Sequence, residues 1–230
     1  MVNKNKYSRI VLNIPHSSTE KGTFGWDDGI GEEIEKWTDT YTDILFASSI
    51  GNEDDVIPVV ANVSRFFCDV ERLIDDPLEE TGHGIFYTSF NGHTRKKEHI
   101  LFSQAMQYWW AHQERLSRAM CENCLIIDCH SFPTELAPDV DVCIGFNEGL
   151  SMPKIDFLSK VCKFFKEYGY RVRLNEPYSN SITPHEDFFY NSMMIELNKS
   201  LYLNEDGTKK ASMYKVNHML KYLYNKILKD

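Results

Sequence analysis

The stretch Leu125-Ile126-Ile127-Asp128-Cys129-His130-Ser131 places a short, mostly apolar run directly before a polar pair. Runs of this length with polar flanks are typical of buried β-strands. Two other stretches share the design, since residues 10–14 precede His16 and residues 193–195 precede Glu196. In an open α/β sheet, ligands bind outside the carboxyl ends of the strands. We therefore expect these two histidines and this carboxylate to meet at one edge of a sheet.

Strand-like and helix-like segments alternate along the chain. The pattern predicts strands at residues 8–14, 56–60, 63–70, 124–128, 140–146, 170–174 and 192–197. It predicts helices at residues 32–50, 96–120, 155–168 and 210–228. Polar and β-branched residues from Trp37 to Thr40 leave open that the first helix is two short helices with a break. The alternation predicts an α/β three-layer sandwich with a mixed, mostly parallel sheet.

Length and charge limit the class of protein. With 230 residues, the chain is long enough for one domain spanning 1–230 with a full core. A net charge of −9 argues against nucleic acid as a partner, because a nucleic-acid binder needs a basic face. No apolar segment approaches the ~18 residues of a membrane span, and the first residues lack a signal peptide's apolar region. Six cysteines fit reduced thiols, so we expect a cytoplasmic protein without a membrane partner.

The placement of His16 and His130 favours a metal site. A capping or core role would be the default for either histidine alone. Both together, with Glu196 placed in the same way, favour a bound divalent ion, because neutral imidazole binds Zn²⁺ well. A carboxylate beside such an ion suits a general base, although an ion pair of Glu196 with Lys199 is the simpler alternative.

A series of ordered motifs from about residue 10 to 205 resembles the N-formylglutamate amidohydrolase family. The motifs are Pro15-His16-Ser17-Ser18, Thr38-Asp39, Ser64-Arg65 with Asp69-Val70-Glu71-Arg72, Asp128-Cys129-His130-Ser131, Ser181-Ile182-Thr183-Pro184-His185 and Ile195-Glu196-Leu197-Asn198. The resemblance implies a fold similar to that of the zinc carboxypeptidases (phosphorylase/hydrolase-like). It also implies a small-molecule substrate, N-formylglutamate or a related N-acyl amino acid, cleaved to formate and the amino acid during histidine degradation.

The resemblance further implies that Zn²⁺, or another divalent ion, is held by His16, His130 and one carboxylate. Asp39 is the favoured third ligand, because it occupies the family's Thr-Asp position. Asp69 is the competitor, and its other role would be to orient Arg72 or a ligand histidine. The His-x-x-Glu pattern of carboxypeptidase-like enzymes is absent, since the third residue after His16 is Thr19.

The remaining family motifs supply the residues that would act on the substrate. Glu196 and Arg65 are the catalytic candidates, the former as base and the latter to stabilise the oxyanion. The substrate-binding candidates are Arg72, Glu71, Tyr178, Thr183 and His185. Arg72 suits bidentate recognition of a carboxylate, with an ordinary ion pair to Asp75 or Asp76 as the alternative.

One departure from the family bears on the substrate. Glu71 stands where the family carries Asn, and its negative charge would repel an acidic substrate. A zinc peptidase or peptidoglycan amidase with the same site remains an alternative function. A non-catalytic binding protein on the same fold is an alternative of a different class. The sequence leaves open the exact substrate, the native metal and the oligomeric state.

Overall fold

The computed structural model describes residues 7–48, 50, 55–74 and 76–229. Within these residues the strands are β1 (Arg9–Ile14), β2 (Val56–Val60), β3 (Ser89–Phe90), β4 (His93–Thr94), β5 (Cys124–Phe132), β6 (Val142–Gly145), β7 (Val172–Leu174) and β8 (Asn191–Asn198). The helices are α1 (Ile30–Trp37), α2 (Thr42–Ala47), α3 (His99–Ala119), α4 (Ile155–Glu167) and α5 (Ser212–Lys229).

Six of the strands form one mixed sheet in the order β2-β1-β5-β8-β6-β7. The first four run parallel to one another, whereas β6 runs antiparallel to β8 and parallel to β7. The carboxyl ends of β1, β5 and β8 therefore lie side by side at one edge. In this register His130 on β5 lies opposite Glu196 on β8. The short strands β3 and β4 form a separate antiparallel hairpin.

Helices cover both faces of the sheet. One face carries residues such as Leu12, Ile127 and Ile195, which pack with α2, α4 and α5 into the largest core cluster. The alternate residues, such as Ile126, pack on the carboxyl-terminal part of α3. This arrangement confirms the predicted α/β three-layer sandwich with a mixed, mostly parallel sheet. Within the described residues, no helix is both long and apolar enough to cross a bilayer.

Residues 63–70 do not form the predicted strand. The segment is a series of turns, in which the backbone N–H groups of Phe67 and Cys68 both donate to the carbonyl of Ser64. Its apolar side chains are buried, but they pack against the amino-terminal half of α3 rather than in the sheet. An apolar run indicates that a segment is buried, but it does not indicate whether a neighbouring strand is available for hydrogen bonding.

The predicted helix over residues 32–50 is two short helices, the alternative that the polar sequence left open. Helix α1 ends at Trp37 because Thr38 is extended, and α2 begins after Tyr41, whose φ of 65° lies in the left-handed region. The break places Asp39 beside the end of β1, where its backbone N–H donates to the carbonyl of His16 at 2.9 Å. The other predicted helices and sheet strands are present, with shifts at their ends of up to four residues.

We expect Gly145→Ala to lower the free energy of unfolding by about 1–3 kcal/mol, the usual cost of overpacking. A Cβ on this buried residue of β6 would lie 2.6 Å from the carbonyl oxygen of Asn180 and closer still to Met194. Urea denaturation measures the change. The matched control is Gly31→Ala in α1, where nothing lies within 4 Å, and a helical alanine there should add about 0.5–1 kcal/mol. Equal effects of the two substitutions would contradict the packing described for Gly145.

Candidate active site

A cavity of about 370 Å³ opens at the carboxyl ends of β1, β5 and β8. Most of the site residues predicted from the sequence line it, and these are His16, Asp39, Arg65, Glu71, Arg72, His130, Tyr178 and Glu196. The edge of the sheet therefore brings together residues that lie up to 180 positions apart in the chain.

His16 is oriented by a buried carboxylate. Its Nε2 lies 2.8 Å from Oδ1 of Asp69, and both side chains are almost fully buried. Burial alone would raise the pKa of Asp69, but its interactions with His16, Arg72 and Arg65 outweigh burial and hold that pKa well below its usual value. The Nδ1 of His16 is buried without a hydrogen-bond partner. Asp69 therefore fixes the ring and leaves Nδ1 as its free nitrogen.

His130 lies between several carboxylates. Its Nδ1 is 3.0 Å from Oδ2 of Asp39, and its Nε2 is 3.3 Å from both Oε1 of Glu71 and Oδ1 of Asp128. Burial alone would lower the pKa of His130, but the nearby charges of Glu71 and Asp128 hold it well above its usual value. The neighbouring carboxylates thus favour the protonated imidazolium form of His130.

Two carboxylates flank the pair of histidines and could complete a metal site. Donor atoms of His16, Glu71 and His130 all lie within 4.8 Å of one another. Asp39 lies at the other edge of the two rings, with its Oδ2 3.8 Å from Nδ1 of His16 and 3.0 Å from Nδ1 of His130. Each of the two buried imidazoles has one unpartnered nitrogen, Nδ1 of His16 and Nε2 of His130. Together with the nearby carboxylate oxygens they form a donor set that suits a divalent ion such as Zn²⁺.

Glu196 carries a buried carboxylate whose Oε2 has no hydrogen-bond partner. Burial, reinforced by the charges of Asp39 and Glu71, raises its pKa to about 8. The alternative ion pair with Lys199 is not formed, because the Nζ of Lys199 donates to the backbone carbonyls of residues 36 and 38. A carboxylate with a raised pKa beside a cluster that could hold a metal has the character of a general base or acid.

The two arginines share one carboxylate. Nη2 of Arg65 and Nε of Arg72 each lie 3.3 Å from Oδ2 of Asp69, and each side chain is about one-fifth exposed to the cavity. Arg72 approaches Asp76 at only 3.8 Å, whereas Asp75 lies outside the described residues. Both guanidinium groups are thus held in place with donors still directed at the cavity, as anion recognition requires.

Three buried polar residues that the sequence analysis did not assign to the site form a chain of contacts that ends at His130 through Asp128. The Nδ2 of Asn13 donates to Asp128 at 2.7 Å, and the Oδ1 of Asn13 lies 2.8 Å from Nε2 of His112. Burial lowers the pKa of His112 to about 3, so its ring is neutral. The period-two pattern of β5 could have revealed Asp128, since it faces the same side as His130. No comparable signal marks Asn13 or His112.

The loop before β8 contributes fewer of the predicted substrate-binding residues to the cavity lining than expected. Tyr178 lines the cavity, whereas Thr183 and His185 are not among its lining residues. The chain turns away after Ile182, whose backbone N–H donates to Asp128 at 3.0 Å.

Sequence reasoning also missed an aromatic wall of the cavity, formed by Trp37, His83, Tyr87 and Phe90. Their ring centroids lie 5.6–6.1 Å apart in successive pairs. The sequence gives no positional signal for these aromatic residues, because only the folded chain brings them beside the carboxyl ends of the strands.

Comparison with known proteins agrees with this arrangement. An N-formylglutamate amidohydrolase from Ralstonia eutropha JMP134 has a similar structure, with a TM-score of 0.78 and 18% identity over 97% of this chain and 94% of that one. A gene product from Agrobacterium tumefaciens gives a TM-score of 0.67 and 14% identity over 97% and 91%. At these identities the likeness shows the fold alone. No functionally curated protein matches the sequence. The N-formylglutamate amidohydrolase family model matches residues 8–203, so the chain belongs to that family.

Proposed function

We propose that the protein is a metal-dependent hydrolase that cleaves the amide bond of an N-acyl amino acid, most simply an N-formyl amino acid. The observation that carries the proposal is the unpartnered carboxylate of Glu196 opposite His130 in the sheet register. Family membership supports the class of reaction, because the family is named for amide hydrolysis. All six cysteines are free, which supports a reducing compartment such as the cytoplasm.

The proposed metal ligands are His16, His130 and Asp39, with Zn²⁺ as the favoured ion. Asp69 already engages Nε2 of His16 by a hydrogen bond, so Nδ1 is left to bind, and the carboxylate near that nitrogen is Asp39. This is the arrangement in which an outer carboxylate fixes the tautomer of a ligand histidine. Glu71 is the competing third ligand, because its oxygens lie near the opposite nitrogens of both rings.

The residues around the histidines support hydrolysis by water. A divalent ion bound there would supply polarisation of the acyl carbonyl and a lower pKa for water. Glu196 would accept a proton from the attacking water and deliver it to the departing amide nitrogen, so that the C–N bond breaks as the new C–O bond forms. Arg65 would stabilise charge on the former carbonyl oxygen, and Arg72 would hold the substrate's carboxylate. The products are formate and the free amino acid.

Replacing the base should separate turnover from metal binding. Glu196→Gln keeps the shape of the side chain and removes the proton acceptor, so we expect a loss of ~10²–10⁴-fold in formate release. The variant should still bind one equivalent of metal, which elemental analysis measures. Hydrolysis of N-formyl amino acids at the wild-type rate would exclude this role. Wild-type protein that binds such compounds and releases no formate would instead favour a binding protein.

Alanine substitutions distinguish the three carboxylates that could bind the metal. We expect Asp39→Ala to lower zinc affinity by far more than the ~10–100-fold typical of residues that hydrogen-bond to a metal ligand without contacting the metal. Asp69→Ala and Glu71→Ala should stay within that range. Competition with a chelating dye measures the affinities, and circular dichroism confirms that each variant is folded. Loss of metal in Glu71→Ala with retention in Asp39→Ala would assign Glu71 as the ligand.

Zinc uptake by the metal-free protein should release at least one proton at pH 7. The carboxylates around His130 hold its pKa well above the usual value, so the ring is protonated before the metal binds. A metal ligand must be the neutral imidazole, and affinity should therefore fall as the pH is lowered. Calorimetry in buffers of different ionisation enthalpy measures the proton count. A binding heat that does not depend on the buffer would contradict the charge state described for His130.

A further inference from the structure

The charged half of the cavity matches a single substrate carboxylate. Of the lining residues within the described part of the chain, Arg65 and Arg72 alone carry a permanent positive charge. The two guanidinium groups face one shared carboxylate, that of Asp69, with Asp76 approaching Arg72 only at 3.8 Å. The carboxylate of Asp69 offsets one of the two charges, and Asp39, Glu71 and Glu196 also line the cavity. The lining therefore has no excess of positive charge that would attract a second substrate carboxylate.

Aromatic and aliphatic side chains make up the apolar half of the cavity lining. Trp37 and Phe90 stand at its wall with their ring centroids 6.0 Å apart, and both are only partly buried. Leu78, Pro133 and Met194 complete the apolar lining. Aromatic and aliphatic surface left open to a cavity is stabilised when an apolar group of a ligand covers it.

Acidic residues line or border the cavity. The Glu33 carboxylate accepts hydrogen bonds from Nε1 of Trp37 at 2.9 Å and from Nδ2 of Asn91 at 2.8 Å. Glu71 also lines the cavity. The nearest lysine on α1, Lys36, is exposed and pairs with Glu135 at 3.2 Å. Among the described residues that line the cavity, Arg65 and Arg72 alone could pair with a second carboxylate on the substrate, whereas the acidic residues would repel it.

We infer that the preferred substrate is an N-acyl amino acid with a single carboxylate and an uncharged apolar or aromatic side chain. The carboxylate binds at Arg72, and the side chain packs on Trp37 and Phe90. This inference rests on the proposed function and gives its substrate class. It disfavours N-formylglutamate, whose side-chain carboxylate would enter the apolar half.

Product binding tests the preference without any turnover. Calorimetric titration of the zinc-loaded wild-type protein with L-phenylalanine, L-glutamine and L-glutamate keeps the α-carboxylate constant and changes only the side chain. We expect phenylalanine to bind most tightly and glutamate at least about 10-fold more weakly than glutamine, which is its neutral isostere. Tighter binding of glutamate than of the other two would overturn the inference, whether or not the protein proves to be an enzyme.

Formate release from the matching N-formyl amino acids gives the second readout. The expected order of kcat/KM is N-formylphenylalanine, then N-formylglutamine, then N-formylglutamate. The reverse order would overturn the substrate class and leave the proposed hydrolysis intact. The expected order of product binding without formate release from any compound would support the recognition site and contradict the proposed hydrolysis.

Variants of the apolar wall locate the preference. Trp37→Ala should lower kcat/KM for N-formylphenylalanine about 10-fold or more relative to kcat/KM for N-formylalanine. Leu78→Arg places a cation among the apolar residues of the cavity, so it should raise kcat/KM for N-formylglutamate relative to kcat/KM for N-formylglutamine. Trp110→Ala is the matched control, since Trp110 is 58% exposed on α3 and does not line the cavity. An equal loss of kcat/KM for N-formylphenylalanine and N-formylalanine in Trp37→Ala would contradict this placement of the substrate side chain. An unchanged ratio of kcat/KM for N-formylglutamate to that for N-formylglutamine in Leu78→Arg would also contradict it.

Discussion

The buried carboxylate of Asp69 is the interaction on which the site depends. It lies 2.8 Å from Nε2 of His16, accepts a hydrogen bond from the Tyr87 hydroxyl at 2.7 Å, and attracts both Arg65 and Arg72. A buried anion is costly unless it is fully paired, and here each of these partners lines the cavity. One carboxylate therefore holds the proposed metal ligand His16 and the two arginines proposed to bind anions in a fixed relation. The hydrolysis proposed above needs both parts at once.

Sequence patterns predicted the positions of those residues that the sheet strands hold in place. His16, His130 and Glu196 lie at one edge of the sheet, as expected, because each lies at or just after the carboxyl end of one of three neighbouring parallel strands. The motif positions likewise gave Asp39, Arg65 and Arg72 as lining residues. Tyr87 and Phe90 could not be placed, because their positions depend on how a long loop packs. Neither local propensity nor periodicity carries that information.

The segment at residues 63–70 shows the limit of the periodic signal. Its apolar residues gave a strand prediction, yet the chain turns here and packs its side chains on α3. The turn lets Asp69 lie under His16 while Arg65 and Arg72 point into the cavity. A regular strand would alternate successive side chains between opposite faces and could not direct this many groups to one place. The departure from regular structure is thus part of how the site is built.

Lys199 follows β8 directly, and its Nζ donates to the backbone carbonyls of Lys36 and Thr38 at the end of α1. Burial lowers the pKa of this lysine, and the nearby charges of Asp39 and Glu196 partly offset the effect. The strand that carries Glu196 is thereby tethered to the helix that ends in Trp37. Because Lys199 binds backbone carbonyls, side chains of the aromatic wall can be replaced during evolution without moving this helix relative to Glu196. Such a tether favours changes in the proposed substrate specificity while the proposed reaction stays the same.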